Sequence, residues 1–336
     1  MKTVSIIGNR PQLMKIIPEL ADVLIWTGQH YSDALKNAYL GQVEKCGEVV
    51  ELNETTIEGM IAGIYDFICS ETNIDLVTVY GDTDSTLAGS VAVAKEMYKN
   101  GFNTTRLAHV EAELRCGNLS LPEERNRIVV DALSCERFDI PTYGDIMQER
   151  LWEVWQSEMK RMKPINDMNK WIVTIHRAEN SPQETYVDLL KTVMFYVENA
   201  RIYVHPKHEH LFQEWEYVRL RKLRKAISYL EMLRELWNCE GVVTDSGGLM
   251  REAAWLGKKC IVLRDECEFP ELVEAGRIKL VGRDEARLRE ALNKNDWNLK
   301  VELENPNTTQ KILDHLGIER RFHAVEAENV IRYASL

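Results

Sequence analysis

VVTDSGGLMREAAWLG, residues 242–257, sets two apolar residues before a Thr-Asp-Ser-Gly-Gly turn and follows the turn with a run of helical composition. A strand that passes into a helix through bare backbone is the junction from which α/β units are built. Ser246 is a good N-cap, and Gly247 and Gly248 let a ligand approach the N–H groups that a first helical turn leaves unpaired. Such a helix start attracts anions, because the unpaired donors and the helix dipole present positive charge together. A capped helix with a tight turn would use the same residues without any ligand, so the remainder of the chain has to separate the two readings.

Outward from that junction, short apolar segments alternate with helical patterns. They are TVSIIG at 3–8, DVLIWTG at 22–28, LVTVYGD at 76–82, RLAHVEA at 106–112, WIVTIH at 171–176, RIYVH at 201–205, GVVTD at 241–245, KCIVLR at 259–264 and IKLVG at 278–282. Near-continuous apolar strands separated by helices predict an α/β fold with parallel sheets covered on both faces. The 336 residues accommodate two such sheets, at roughly 150 residues per domain. The linker-like stretch MKRMKPINDMN at 159–169 puts the domain change near residue 163, giving domains at 1–163 and 164–317.

The net charge of −11 disfavours nucleic acid and anionic membranes as bulk partners, since both need an extended positive field. No apolar run approaches the roughly 18 residues of a membrane span, and the N-terminus enters a strand without a signal-peptide pattern, so a soluble, cytoplasmic protein is expected. Cysteines 46, 69, 116, 135, 239, 260 and 267 form no CxxC pair, which argues against a disulfide framework or a zinc site and predicts buried thiols. The basic cluster Arg219, Arg221, Lys222, Arg224 and Lys225, interleaved with Leu220 and Leu223, reads as the solvated face of a helix.

In open parallel sheets ligands sit beyond the carboxyl ends of the strands. The polar clusters fall there: GNRPQLMK, TGQH, GDTDST, EAELRCG, HRAEN, HPKHEH and DSGG each follow a strand segment, although no GxGxxG follows the first. Arg10 and Lys15 are two fixed cations suited to a diphosphate. Asp82, Asp84, Glu111, Glu123 and Glu124 are carboxylates able to act as general acid and base, with helix capping at Pro122 as the structural alternative for the last two. His176 and Arg177, the glycine turn and Glu252 form a second, more positive group. Together they describe a cleft between two domains for an anionic substrate. His205, His208 and His210 lack the accompanying ligands of a metal site, and none is expected.

The ordered set GNRPQLMK, TGQH, GDTDSTLA, HVEAELRCGN, LPEERNRIVVD, IVTIHRAEN, VHP, VVTDSGGLMREAAWLG, VLRDECEFPELVEAG and LVG resembles the non-hydrolysing UDP-N-acetylglucosamine 2-epimerases. The resemblance runs from residue 3 to about 282. It implies the GT-B architecture of two Rossmann-like domains, a substrate cleft between them, and a C-terminal helix crossing back to the first domain, here 318–336. It also implies that Asp82, Glu111, Glu123 and His176 are catalytic, that Arg10, Lys15, Arg177, Ser246, Gly247 and Gly248 hold the diphosphate, and that Glu252 holds the ribose. Gln29 and His30 resemble part of a second, activating UDP-sugar site.

The implied partner is a UDP-sugar, the implied assembly a homodimer, and the implied reaction needs no cofactor. UDP leaves C1, a carboxylate takes the C2 hydrogen, a 2-acetamidoglucal forms, and UDP adds back after protonation on the other face. Relative to the usual motifs, GTRPE reads GNRPQ, HVEAGLR reads HVEAELR with Glu113 for glycine, and HRREN reads HRAEN with Ala178 for arginine. SGGxQEEAP reads SGGLMREAA with Met250 and Arg251, and TERPE reads CEFPE with Phe269 for arginine. These departures bear on the sugar accepted and on activation, more than on the fold. The alternatives to the epimerase are a hydrolysing epimerase, a GT-B glycosyltransferase and a non-catalytic UDP-sugar sensor.

Overall fold

A computed structural model describes residues 1–28, 43–100, 105–160, 170–205, 208, 210, 222–319 and 331–333. The chain divides into two compact units, Met1–Arg150 with Asn305–Leu336, and Leu151–Glu304. The first unit contains β1 (Lys2–Ile7), β2 (Val23–Trp26), β3 (Glu48–Glu51), β4 (Ile74–Tyr80), β5 (Arg106–Ala112) and β6 (Glu136–Asp139). The second contains β7 (Trp171–Thr174), β8 (Ala200–Tyr203), β9 (Leu223–Arg224), β10 (Gly241–Thr244), β11 (Lys259–Val262) and β12 (Ile278–Leu280), while β13 (Ile331–Tyr333) returns to the first.

The spatial order is β13-β3-β2-β1-β4-β5-β6 in one sheet and β12-β11-β10-β7-β8-β9 in the other, and every pairing is parallel. Numbered from the first strand of each unit, both sheets have the doubly wound order 3-2-1-4-5-6. The order reverses between β1 and β4 in the first sheet and between β7 and β10 in the second. At such a switch point the flanking connections leave toward opposite faces, which opens a crevice at the carboxyl ends.

The apolar content of the strands explains their position. Val4, Ile6 and Ile7 of β1 and Val77 and Val79 of β4 are fully buried, with Ile6 aligned between Ile25 and Val79. Each such side chain contributes about 1.5–3 kcal/mol by leaving water. Helix Ile57–Ser70 starts at Thr56, whose side chain accepts from the Gly59 N–H, and buries Met60, Ile64 and Ile68 at four-residue spacing. In the second unit, helix Gln183–Tyr196 buries Tyr186, Leu189, Leu190 and Val193 against Val173, Ile202 and Val243.

Several expectations are corrected. The division between units falls at 150/151 and 304/305, whereas the sequence put the changes near 163 and 317; residues 161–169 lie outside the described residues. Within 318–336, expected as a helix, Ile331–Tyr333 run as a strand along β3, whose edge offers unpaired backbone groups to a β-branched and aromatic segment; 320–330 and 334–336 lie outside the described residues. Leu223 and Arg224, expected on a helix, form a strand beside β8, and Arg219 and Arg221 lie outside the described residues. Cys69 and Cys135 are exposed rather than buried, and the seven thiols are free. Among the described residues no helix is long and apolar enough to cross a membrane.

Candidate functional site

In the first unit Lys15, Asp82 and Glu111 come together beside the switch point. Asn9 accepts from the Gln12 N–H to start helix Arg10–Lys15, and the Gln12 side chain completes a capping box. Gln12 is buried: its amide oxygen accepts from the Gly8 N–H (2.7 Å) and the Ser85 hydroxyl (2.9 Å), while its NH2 donates to Tyr80 O (3.0 Å) and Thr86 Oγ1 (2.8 Å). This one side chain therefore ties the turn after β1 to the turn after β4. Arg10 opens the helix and Lys15 closes it.

Lys15, expected against a diphosphate, is buried and ion-paired with Glu111. Glu111 is itself buried, near the end of β5, in the left-handed region at φ 67°. Gly81 lies beside this pair: a Cβ built on it would stand 3.1 Å from Lys15 Nζ and 3.4 Å from Glu111 Oε2. Gly81 precedes Asp82, whose carboxylate is ion-paired with buried Arg127. Asn126 Nδ2 donates to Asp82 O at 3.1 Å and to Asp84 Oδ1 at 3.0 Å. Asp82, Glu111 and Lys15 are thus brought to one end of one sheet.

Helix Pro122–Leu133 supplies Arg127 and Asn126 and turns a mostly polar face inward. Glu124, Asn126, Arg127 and Asp131 are buried on it, whereas Ile128 is 39% exposed and Val129 41%. Glu123 is half-buried in its first turn. Its neighbour Glu124 accepts from the backbone N–H groups of Cys116 (3.0 Å) and Gly117 (3.1 Å), so it clasps the loop after β5 instead of serving only as a helix-start charge.

In the second unit, β7 and β10 end side by side. Asp245, immediately after β10, is fully buried and accepts from the N–H of His176 (3.0 Å), the N–H of Arg177 (3.0 Å) and Asn180 Nδ2 (3.0 Å). His176 Nδ1 stands 3.3 Å from the same carboxylate, its ring stacked 6.1 Å from that of His205. Arg177 lies 3.8 Å from Glu268 and 3.6 Å from Glu179.

Ser246 caps helix Gly247–Trp255 by accepting from the Leu249 N–H at 3.3 Å. A Cβ on Gly247 would meet nothing within 4 Å, and one on Gly248 only Ser246 Oγ at 3.9 Å, so open space lies over this helix start. Glu252 is buried two turns along it. Arg251, in the same helix, lies with its guanidinium 4.6 Å from the centre of the Phe269 ring, so the two departures from the usual motifs touch each other. Gln29 and His30 lie outside the described residues.

Sequence reasoning did not single out Asp245, His109, Asp131, Arg127 or Gln12 as site residues. A signal existed for part of this set: Glu124, Arg127 and Asp131 recur at three- and four-residue spacing and so share one helix face.

Two doubly wound parallel sheets, one in each unit, are the architecture of the GT-B class. The chain belongs to the UDP-N-acetylglucosamine 2-epimerase family, whose model matches residues 14–142 and 135–317. It is 31% identical over 337 residues to a UDP-N-acetylglucosamine 2-epimerase homolog of Methanococcus maripaludis, covering 88% of this chain and 92% of that one. It is also 31% identical over 322 residues to the UDP-2,3-diacetamido-2,3-dideoxy-D-glucuronate 2-epimerase of Pseudomonas aeruginosa, covering 84% and 88%. The crystal structure of Methanocaldococcus jannaschii UDP-GlcNAc 2-epimerase in complex with UDP-GlcNAc and UDP matches with a TM-score of 0.79 at 26% identity, covering 94% of this chain and 99% of that one.

Proposed function

We propose that this epimerase-family chain interconverts UDP-N-acetylglucosamine and UDP-N-acetylmannosamine by eliminating UDP to a 2-acetamidoglucal and adding it back. The observation that carries this reading is the joint fixation of Asp82 and Glu111 at one switch point, Asp82 by Arg127 and Glu111 by Lys15. The C2 hydrogen is not acidic enough for direct removal; departure of UDP from C1 first builds positive charge on the ring, and a fixed carboxylate then takes the hydrogen. Protonation at C2 from the opposite face and return of UDP to C1 complete the inversion.

The second unit's share is the leaving group. Backbone donors at the start of helix Gly247–Trp255, with Arg177, stabilise the departing diphosphate, and the resemblance adds Arg10 of the first unit to that role. Glu252 holds the ribose, and His176 and Glu123 assist at the sugar. In this reading Lys15 holds the Glu111 carboxylate in place for the proton transfer. A second reading replaces the sugar by a diacetamido-glucuronate, favoured by the equal identity to the Pseudomonas protein. The resemblance extends the proposal to a cytoplasmic homodimer, whose mass light scattering measures.

Incubation with UDP-N-acetylglucosamine in D2O tests the reaction. Deuterium at C2 in both UDP-sugars is the expected result. Binding without exchange would indicate a sensor, accumulation of free sugar a hydrolase, and acceptor-dependent glycoside a transferase. The same incubation with the diacetamido-glucuronate substrate separates the two sugars.

A further inference from the structure

His109 is fully buried near the end of β5, and nothing in the proposed chemistry uses it. Its ring makes two polar contacts: Nδ1 lies 2.6 Å from Asp131 Oδ1 and Nε2 lies 2.7 Å from the carbonyl oxygen of Gly81. A carbonyl has no hydrogen to give. The other Asp131 oxygen already accepts from the Arg115 guanidinium at 2.6 Å and from the Glu113 N–H at 3.1 Å, an arrangement that stabilises the ionised carboxylate. Burial alone would raise the Asp131 carboxyl; hydrogen bonds and charge from His109 and Arg115 outweigh it and hold it below the ordinary aspartate range. With acceptors on both sides, a ring carrying one hydrogen would bring two lone pairs together at one of the two contacts.

We infer that His109 is a doubly protonated positioning residue, clamping through Gly81 and Asp131 the two turns that carry Asp82 and Glu111. The inference rests on the catalytic reading of those carboxylates given above. Gly81 is left-handed at φ 69°, its N–H donates to Val110 O at 3.0 Å, and its carbonyl receives the His109 ring, so β5 grips both backbone polar groups of the residue preceding Asp82. On the other side, Asp131 holds the Glu113 N–H, where the chain leaves β5 with Glu111 at φ 67° and Glu113 at φ 63°. One imidazolium–carboxylate pair therefore ties these two turns to each other through side chains. A glutamine or asparagine at 109 offers a single donor nitrogen and cannot serve both contacts.

The charged groups around the ring and its partner are Asp131 from helix Pro122–Leu133, Arg115 and Glu113 from the loop after β5, and Arg137 from β6, which aligns with His109 and lies 3.4 Å from Glu113. The state of the ring is read by 15N nuclear magnetic resonance of histidine-labelled full-length protein at neutral pH. The expected spectrum contains one histidine with both ring N–H protons in slow exchange, and both signals vanish in His109→Gln. In that variant kcat for deuterium exchange at C2 falls about 10- to 100-fold, the scale set by misplacing reacting groups by about an ångström, while KM and UDP affinity stay within about threefold.

Asp131→Asn covers the case in which His109→Gln does not fold: its ring should revert to a single protonated nitrogen, with a similar loss in kcat. A singly protonated ring in the wild type, or wild-type exchange rates in folded His109→Gln, overturns the inference. A wild-type protein that exchanges no deuterium overturns the catalytic reading instead, and the resonance experiment still decides the state of His109.

Discussion

At the first unit's switch point charged side chains are held by other charged side chains: Lys15 on Glu111, Arg127 on Asp82, Arg115 on Asp131. At the second unit's switch point one buried carboxylate, Asp245, gathers backbone N–H groups, and the adjoining helix start presents bare backbone to open space. The same strand order is thus finished in two ways. Side chains that must move a proton need fixed positions and fixed charge, which ion pairs supply. A site that takes hold of a diphosphate needs donors and room, which a glycine turn supplies.

The sharpest break of this comparison is chemical. Asp82→Asn or Glu111→Gln should lower deuterium exchange at C2 by about a thousandfold or more while UDP still binds, because the amide cannot accept the proton. Gly248→Val should do the reverse, weakening UDP binding in calorimetry by about a hundredfold with little change in melting temperature, since its side chain would enter open space. If both variants lost binding equally, the division of labour would be refuted.

Stability provides a smaller separation. Lys15→Met leaves buried Glu111 without Lys15 and should cost about 3 kcal/mol in denaturant unfolding, much of it recovered in Lys15→Met/Glu111→Gln, because removing one partner of a buried pair is worse than removing both. Both units also carry carboxyls held low, Asp131 and Glu235; burial raises each, and partners more than offset it, His109 and Arg115 for the first, Lys170 and Arg201 for the second. A depressed folded-state pKa gives stability that is complete above the unfolded value and lost as pH falls through the folded one. Acid unfolding should therefore steepen below about pH 4 in both units, and Asp131→Asn should flatten it only in the first.

The smallest expected effect is Glu113→Gly. Glu113 holds a left-handed backbone that glycine adopts freely, and its own ion pair with Arg137 is half exposed, so the change should raise stability by up to about 1 kcal/mol, measured by chemical denaturation.

Much of this architecture was legible because nine strand segments are apolar enough to be buried on both faces, and a chain of such strands separated by helices has few ways to fold. The strands not expected, Glu48–Glu51, Glu136–Asp139, Leu223–Arg224 and Ile331–Tyr333, are two to four residues long and each carries at least one charged residue, too short a run to show a hydrophobic pattern. Candidate site residues could be placed at strand ends, but their partners could not. Lys15 looks like an anion ligand until the fold brings Glu111, 96 residues away, against it. His109 looked like part of an apolar strand, and its two acceptors come from positions 81 and 131.

The first unit is assembled from segments on both sides of the second. Helix Thr308–Leu316 completes it, with Glu149 accepting the Thr309 N–H at 2.8 Å and His315 meeting Tyr143 and Glu136. During vectorial synthesis the ribosome delivers every residue of unit two before that helix emerges, so the later-numbered unit can finish folding while the earlier one still waits for its closing piece.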